Sequence, residues 1–512
     1  MTEYSRLKTS RSAGIRATLD YPVIDTDVHT NDFTPAFEDY IANYGGAKLV
    51  DELRKAEASR LNSKSNGKDW YQQTPQERQH NRTIRSPWWA RVTRNTLDLA
   101  TYTLPALLYE RQAEQGSDYS VLFPNNVLAP AGASPENRQA LQRAVNHYHA
   151  DIYRKYSDRL TPVAGIPMSN PQEAIEELEF TVKTLGLKVV NIPGGVKRPI
   201  KALAEKYPAE QFPEIAKYAS YIDFYGLDSE YDYDPFWAKV VELGVPVTTH
   251  YGSQGWTGRS SISNYMNNHI GHFADGSQAF AKALFFGGVT KRFPQLRVGM
   301  LEGGADWGAH VYIHLVDRFS KRNLKGLENY NPELTNSDEL FELFERFGGE
   351  ITQGYSLSKE ELTKSVLGSS FNRYSRQPVA SELNDFAAAG IETIEDIRDR
   401  WVNSFFFGSE SDDRTIAAAF NDKANPLGVK INAIYSSDVG HWDVPDLTSP
   451  LAESWDLVAE GVISEADFKS YVFTNPYKFY TQAKRDFFKG TAVESKVANI
   501  ESQQVDRNLA VV

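Results

Sequence analysis

"YPVIDTDVHTND", residues 21–32, opens with an apolar run and then sets Asp25, Asp27 and His29 at single-residue spacing. Side chains alternate along a strand, so these three share one face, and in a small barrel that face is the interior. Unpaired charge buried there is costly. A divalent cation at the C-terminal end of the strand compensates it. Taken alone, the stretch is equally well explained by a capping aspartate and a hydrogen-bonded histidine.

Seven further apolar runs repeat the pattern: 120–126, 160–169, 187–195, 245–253, 296–302, 403–411 and 429–443. Helical stretches separate them. Asn137 to Tyr156 is one; another begins with Asn170 as N-cap and Pro171 in the first turn and closes at Gly186; a third opens at Asp234 and Pro235 and stops at Gly244. Eight strands alternating with helices predict an α/β chain of the (β/α)8 TIM-barrel type with helical insertions. An open doubly wound sheet is disfavoured, because "DTDVHTND" stands where a glycine-rich dinucleotide fingerprint would follow the first strand.

One barrel domain is expected over 20–490, with insertions at about 30–118 and 319–400 and a tail at 491–512. The first insertion, with "ERQHNRTIRSPWWARVTRN", reads as a lid over the mouth, and the second as a peripheral helical layer. The aromatic stretch 218–237 reads as a pocket wall.

The 512 residues carry a formal charge of −12, with 41% hydrophobic and 24% charged residues. An acidic chain lacks the basic surface that nucleic acid or anionic membrane requires. No apolar run is long enough to span a bilayer, and the N-terminus has no apolar core of a secretory signal. The absence of cysteine removes disulfides, thiolate metal ligands and cysteine nucleophiles. A cytoplasmic enzyme acting on a small molecule is expected, assembled as a homodimer.

His250 closes the fifth strand, Glu302 the sixth and Asp438 the eighth. Barrel enzymes collect their catalytic groups at these strand ends. A shared oxygen and nitrogen coordination sphere explains all of these residues together.

The order of parts resembles the amidohydrolase superfamily, in the branch that includes the aminocarboxymuconate semialdehyde and γ-resorcylate decarboxylases. The matching motifs are "IDTDVH", "TPVAGIPMSNPQEAIEELEFTVKTLGLKVVNIPGG", "VTTHYG", "RFPQLRVGMLEGGADW", "YSSDVGHWD" and "FTNPYKFYTQAKRDFF". The resemblance implies that Asp27, His29, His250 and Asp438 are metal ligands and that Asp438 is a proton acceptor. Two departures stand out: Asp27 replaces the first histidine of HxH, and Glu302 stands where several relatives have a histidine. The resulting carboxylate-rich site suits Zn, Mn or Fe, as one ion, or as two if Glu302 and Asp25 help hold a second. The resemblance also implies a carboxylated lysine at the end of the fourth strand, and "VVNIPGG" has no counterpart of it, so a bridged zinc pair is not expected.

Around this centre, His272 is a candidate general acid or substrate-orienting donor, and His441 a partner that orients a ligand. Asp25 is expected just outside the ligand set. Arg259 and Trp256 are candidate substrate contacts, with Trp88 and Trp89 as further aromatic candidates. His310 and His314, at helical spacing, and His80, His147 and His149 are assigned no chemistry. Hydrolysis of a small cyclic or aromatic substrate by metal-activated water is the leading expectation. Nonoxidative decarboxylation of an aromatic or dienoic acid is the alternative, and a dinuclear non-heme iron oxygenase the third.

Overall fold

The computed structural model describes residues 10–59, 64–65, 68–216, 218–368 and 380–498. Two compact units divide the chain: Met1–Tyr312 with Arg398–Val512, and Ile313–Ile397.

The first unit is built on eight short parallel strands. They are β1 (Ile24–Thr30), β2 (Tyr119–Pro124), β3 (Leu160–Pro162 continuing as Ala164–Gly165), β4 (Val190–Asn191), β5 (Val247–Thr249), β6 (Val298–Met300), β7 (Phe405–Ser409) and β8 (Ala433–Tyr435). Each pairs with the next in parallel register. Every residue of these strands is buried, as expected where both faces of a parallel sheet are covered, and this is why the runs are almost continuously apolar.

β1 also meets the exit of β8. Val28 and Val439 form a parallel bridge, His29 N donates to Val439 O at 2.8 Å, and Asp438 N donates to Asp27 O at 3.1 Å. Side chains stitch the same seam: Thr26 Oγ1 donates to Tyr435 O at 2.7 Å and Ser437 Oγ to Asp27 O at 3.2 Å. Gly440 takes φ +103° there, and a Cβ at that position would lie 2.3 Å from His29 O. No other residue fits so close an approach. The architecture is the TIM barrel anticipated above.

The alternation of β1 is not regular. Its register against β2 shifts between Asp25 and Val28. Asp25 therefore does not join Asp27 and His29 but turns to the seam, where its Oδ1 accepts from Asp27 N at 3.2 Å and Ser437 N at 3.1 Å.

Local helix signals largely act as anticipated. Asn170 accepts from Glu173 N at 2.9 Å and Pro171 opens the helix Pro171–Glu179, which runs on as a π-helical turn, Phe180–Thr184. Gly244 ends Asp234–Leu243 in the left-handed conformation. Asp234 itself lies inside that helix and pairs with Arg292.

The first insertion is only partly a lid. Its helical stretch Thr34–Ser59, broken at Gly45 and Gly46, packs Phe37, Ile41, Leu49 and Leu53 against Leu141, Ala144 and Tyr148 of the helix Pro135–Tyr153. Trp89, further along, does reach the mouth. The 218–237 stretch pairs Ser220–Asp223 antiparallel with Val196–Pro199 and buries Tyr225 and Tyr233; it walls no part of the mouth cavity. Of the anticipated tail, Val493 and Val497 are buried and Ala492 N donates to Asp158 O at 2.9 Å. Residues 499–512 lie outside the described residues.

The second unit, Ile313–Ile397, is helical among its described residues. Asn336 caps Ser337–Phe347, and a capping box between Ser358 and Glu361 opens Lys359–Leu367. No described helix of the chain is long and apolar enough to cross a membrane.

Burial pushes the Asp25 carboxyl up to about 7, although Ser437 and Asp27 N–H groups partly oppose it. A carboxyl raised in the fold costs nothing below its unfolded value near 4, and costs progressively more as pH rises to the folded value. Asp25→Asn keeps an oxygen for both N–H donors. It is expected to leave metal-free stability unchanged at pH 4 and to raise it at pH 8, by at most roughly 4 kcal/mol; denaturant unfolding at the two pH values measures this.

Candidate metal centre

The ligand candidates reach one another because each stands at or just beyond a strand exit: Asp27 and His29 on β1, His250 after β5, Glu302 after β6 and Asp438 after β8. Glu302 and Asp438 have positive φ, +59° and +53°. Non-glycine residues are uncommon in that region, and such strain concentrates at functional sites.

His29 lies at the middle. Its Nε2 is 3.2 Å from Asp27 Oδ1, 3.1 Å from Glu302 Oε1 and 3.3 Å from Asp438 Oδ1. One ring nitrogen cannot donate to three carboxylates. In fact both His29 ring nitrogens, Glu302 Oε1 and Asp438 Oδ1 are buried without a hydrogen-bond partner. Orphaned donors and acceptors of this kind are rare in folded proteins and require an explanation.

His250 Nε2 faces both Asp27 oxygens at 3.0 Å. His441 Nδ1 lies 2.8 Å from Asp438 Oδ1 and 3.2 Å from Glu302 Oε1. The His441 ring stacks on His29 at 3.7 Å between centroids, and Phe123 backs His250 at 4.4 Å.

Two overlapping donor sets result, Asp27, His29, His250 and Glu302, and His29, Glu302, Asp438 and His441, each with its ligand atoms within 4.8 Å of one another. The donors are carboxylate oxygens and imidazole nitrogens. The orphaned atoms and this donor chemistry fit a divalent metal. His441, anticipated as an orienting partner, falls within one of the sets. Asp25 falls in neither.

Charge follows the same convergence. Burial raises Asp27, but His250 and His29 more than reverse this and hold it low. Burial likewise raises Glu302, yet His250, His29 and His441 hold it well below the usual range. Asp438 is pushed up to about 7 by burial, with Glu302 adding to the rise and His441 opposing it. Burial lowers His441, and Asp438 more than compensates, to about 9.

A cavity of about 560 Å³ opens over the centre, lined in part by Glu302, Asp438, His441, His272, His269 and Trp89. Trp89 lies 5.0 Å from His441, centroid to centroid. His272 is buried, with Gln254 Nε2 at 3.2 Å from its Nε2. Burial lowers it to about 3, which leaves it neutral near pH 7 and unsuited to donate a proton as an imidazolium.

Two sequence candidates lie elsewhere. The Arg259 fork is spent on Asp275 at 2.7 Å, Asn268 O at 2.8 Å and Ile270 O at 2.7 Å; it braces the loop after β5. Trp256 packs near Phe224 and is absent from the cavity lining.

Carboxylates that the sequence reading passed over complete the cavity: Asp306, Glu410, Asp412, Asp413 and Asp443. Asp413 is occupied as a cap, accepting from Ser409 Oγ at 2.7 Å and Thr415 N at 2.8 Å. Glu410 follows β7 directly, the strand-exit position that could have revealed it. Burial and the neighbouring Asp438 and Asp443 raise its carboxyl well above the ordinary range. With Glu302 and Asp438, seven carboxylates line the cavity, and no lysine or arginine does so among the described residues.

Residues 103–322, which carry β2 to β6 with His250 and Glu302, match the amidohydrolase family model. Within that segment the chain is similar to amidohydrolases. No curated protein matches it in sequence. Among solved structures it is similar to a 2,6-dihydroxybenzoate decarboxylase from Rhizobium, at 15% identity over 90% of this chain and 99% of that one, with a TM-score of 0.45. An amidohydrolase from Mycobacterium avium subsp. paratuberculosis K-10 is 15% identical over 90% and 98%, TM-score 0.49. A 5-carboxyvanillate decarboxylase from Novosphingobium aromaticivorans DSM 12444, with bound manganese, is 14% identical over 93% and 99%, TM-score 0.46.

Metal ligands must be deprotonated to bind. His441, near 9, and His29, also raised, are protonated in the metal-free protein at pH 7. Binding of Mn²⁺ at pH 7 is therefore expected to release protons, with apparent affinity rising until pH passes about 9. Calorimetric titration in buffers of different ionisation enthalpy counts these protons. His29→Ala should weaken binding by more than the roughly 10- to 100-fold typical of an outer-shell partner.

Proposed function

We propose that the protein is a metal-dependent hydrolase of a small cyclic or aromatic substrate that is neutral or positively charged. The observation that carries this reading is the cavity, lined by seven carboxylates and no lysine or arginine among the described residues. An aromatic carboxylate, the substrate class of a nonoxidative decarboxylase, would enter against that field with only the metal ion and His441 to offset it. Neutral amides, esters and lactones carry no such penalty.

Asp27, His29, His250, Glu302 and Asp438, with His441 beside them, would hold the ion, for which Mn, Fe and Zn are the candidates. A divalent ion supplies Lewis acidity and lowers the pKa of water at the site. Asp438, near 7, can take a proton at its carboxylate and release it again around neutral pH. His441 steadies that carboxylate through Nδ1, 2.9 Å from Asp438 Oδ2. His272, neutral, serves as a hydrogen-bonding group that orients the substrate. Trp89 offers an aromatic face at the mouth. The two overlapping donor sets also leave room for the dinuclear iron oxygenase reading; two irons per chain with dioxygen consumption would replace hydrolysis by it.

The Mn²⁺-loaded protein is expected to liberate acid from members of an amide and lactone panel in a pH-stat and to release no carbon dioxide from 2,6-dihydroxybenzoate. Asp438→Asn should lower kcat by about 10²- to 10⁴-fold. Stoichiometric carbon dioxide release would reverse the assignment. In parallel, benzylamine and benzamide should raise the Tm more than isosteric benzoate does.

A further inference from the structure

Exposed apolar side chains are concentrated in the second unit. Of the 27 large apolar residues exposed among the described residues, nine lie between Tyr330 and Leu367, and Ile351 at 83% and Tyr355 at 72% are the most exposed of all. The helix Ser337–Phe347 buries none of its residues. Its apolar positions, Leu340, Phe341, Leu343, Phe344 and Phe347, span an arc of roughly 160° at about 100° per residue. The neighbouring helix Lys359–Leu367 takes one edge of that arc. Lys359 Nζ lies 5.7 Å from the Phe341 ring centroid and 2.5 Å from Asp338 Oδ1, and Thr363 Oγ1 donates to Ser337 Oγ at 3.0 Å. At the other edge Leu343 and Phe347, four residues apart and so one above the other on the helix, stay exposed at 45% and 67%. Ile351 and Tyr355 continue the four-residue spacing beyond the helix end.

With roughly 150–250 Å² for an aromatic side chain and less for an aliphatic one, the exposed parts of the nine residues sum to roughly 900 Å². One subunit of a stable dimer contributes about 800 Å². The largest apolar patch on a typical monomer covers only roughly 300–600 Å². Glu339, Glu342 and Glu345 are exposed on the same helix, so an anionic membrane or nucleic acid is the wrong counterpart. The sequence of the stripe is also balanced about Phe347. Leu343 precedes it by four residues and Ile351 follows by four, two aliphatic side chains of equal size. A two-fold axis at that point sets Phe347 against its own copy and Leu343 against the partner's Ile351, the reciprocal pairing of an isologous contact.

We propose that this face of the second unit joins two copies of the chain in a two-fold dimer with Phe347 at the axis. Apolar burial drives the association, so added salt does not dissociate the pair. The candidate metal ligands all belong to the first unit of one chain, and the dimer leaves that set complete within each copy.

The test is sedimentation velocity of the full Mn²⁺-loaded chain at micromolar concentration, in low and high salt. A dimer is expected in both. Phe347→Glu combined with Ile351→Glu should weaken dimerisation at least tenfold while the far-UV circular dichroism and Mn²⁺ binding stay unchanged, because both side chains are exposed in the single chain. Since the chain has no cysteine, Phe347→Cys introduces its only thiol, and mild oxidation should link two copies at the axis. Leu227→Cys, equally exposed in the first unit, should link far more slowly. A monomer at these concentrations, a dimer that survives the double variant, or a Phe347→Cys dimer that links no faster than Leu227→Cys overturns the proposal.

Discussion

Three carboxylates buried around one imidazole form an arrangement that repels itself, and the rest of the first unit is organised to hold it. Asp27, Glu302 and Asp438 come from three strand exits, and each approaches His29 Nε2 within 3.3 Å. Without a cation, the protein answers by protonating what it can: Asp438 rises to about 7 and His441 to about 9. A bound divalent ion would replace those protons. The barrel supplies the rigidity, since short, fully buried strands leave the ligands no room to spread apart.

The wider field extends this pattern. Seven carboxyl side chains line the mouth cavity, with no lysine or arginine among the described residues. The excess of acids at this one place is larger than the net charge of −12 for the whole chain conveys.

Much of the fold and the centre was legible because both are written in contiguous stretches. Each strand is an apolar run, and each ligand sits at the end of its own run, so "IDTDVH", "VTTH", "MLEGG" and "YSSD" state element and chemistry together. What escaped depended on geometry that a one-dimensional pattern does not carry. Asp25 left the shared face because β1 slips register against β2. Arg259 read as a free cation because two of its partners are backbone carbonyls, of Asn268 and Ile270, which every residue possesses. Glu410 went unnamed because no histidine or second acid within the strand drew attention to its exit. The first insertion read as a lid because its packing face against Pro135–Tyr153 is distributed over positions far apart in sequence.

The seam between β1 and β8 has a consequence for how the molecule is made. Asp27 and His29 lie near the beginning of the chain and Asp438 and Gly440 near its end, yet the same few hydrogen bonds that join them also set the spacing of the metal ligands. A chain that stops short of the eighth strand lacks the hydrogen bonds that fix Asp27 and His29 from that side and, of the two donor sets, the one that includes Asp438 and His441. Truncation before β8 is therefore expected to open the wall beside β1 and to leave at most the donor set Asp27, His29, His250 and Glu302.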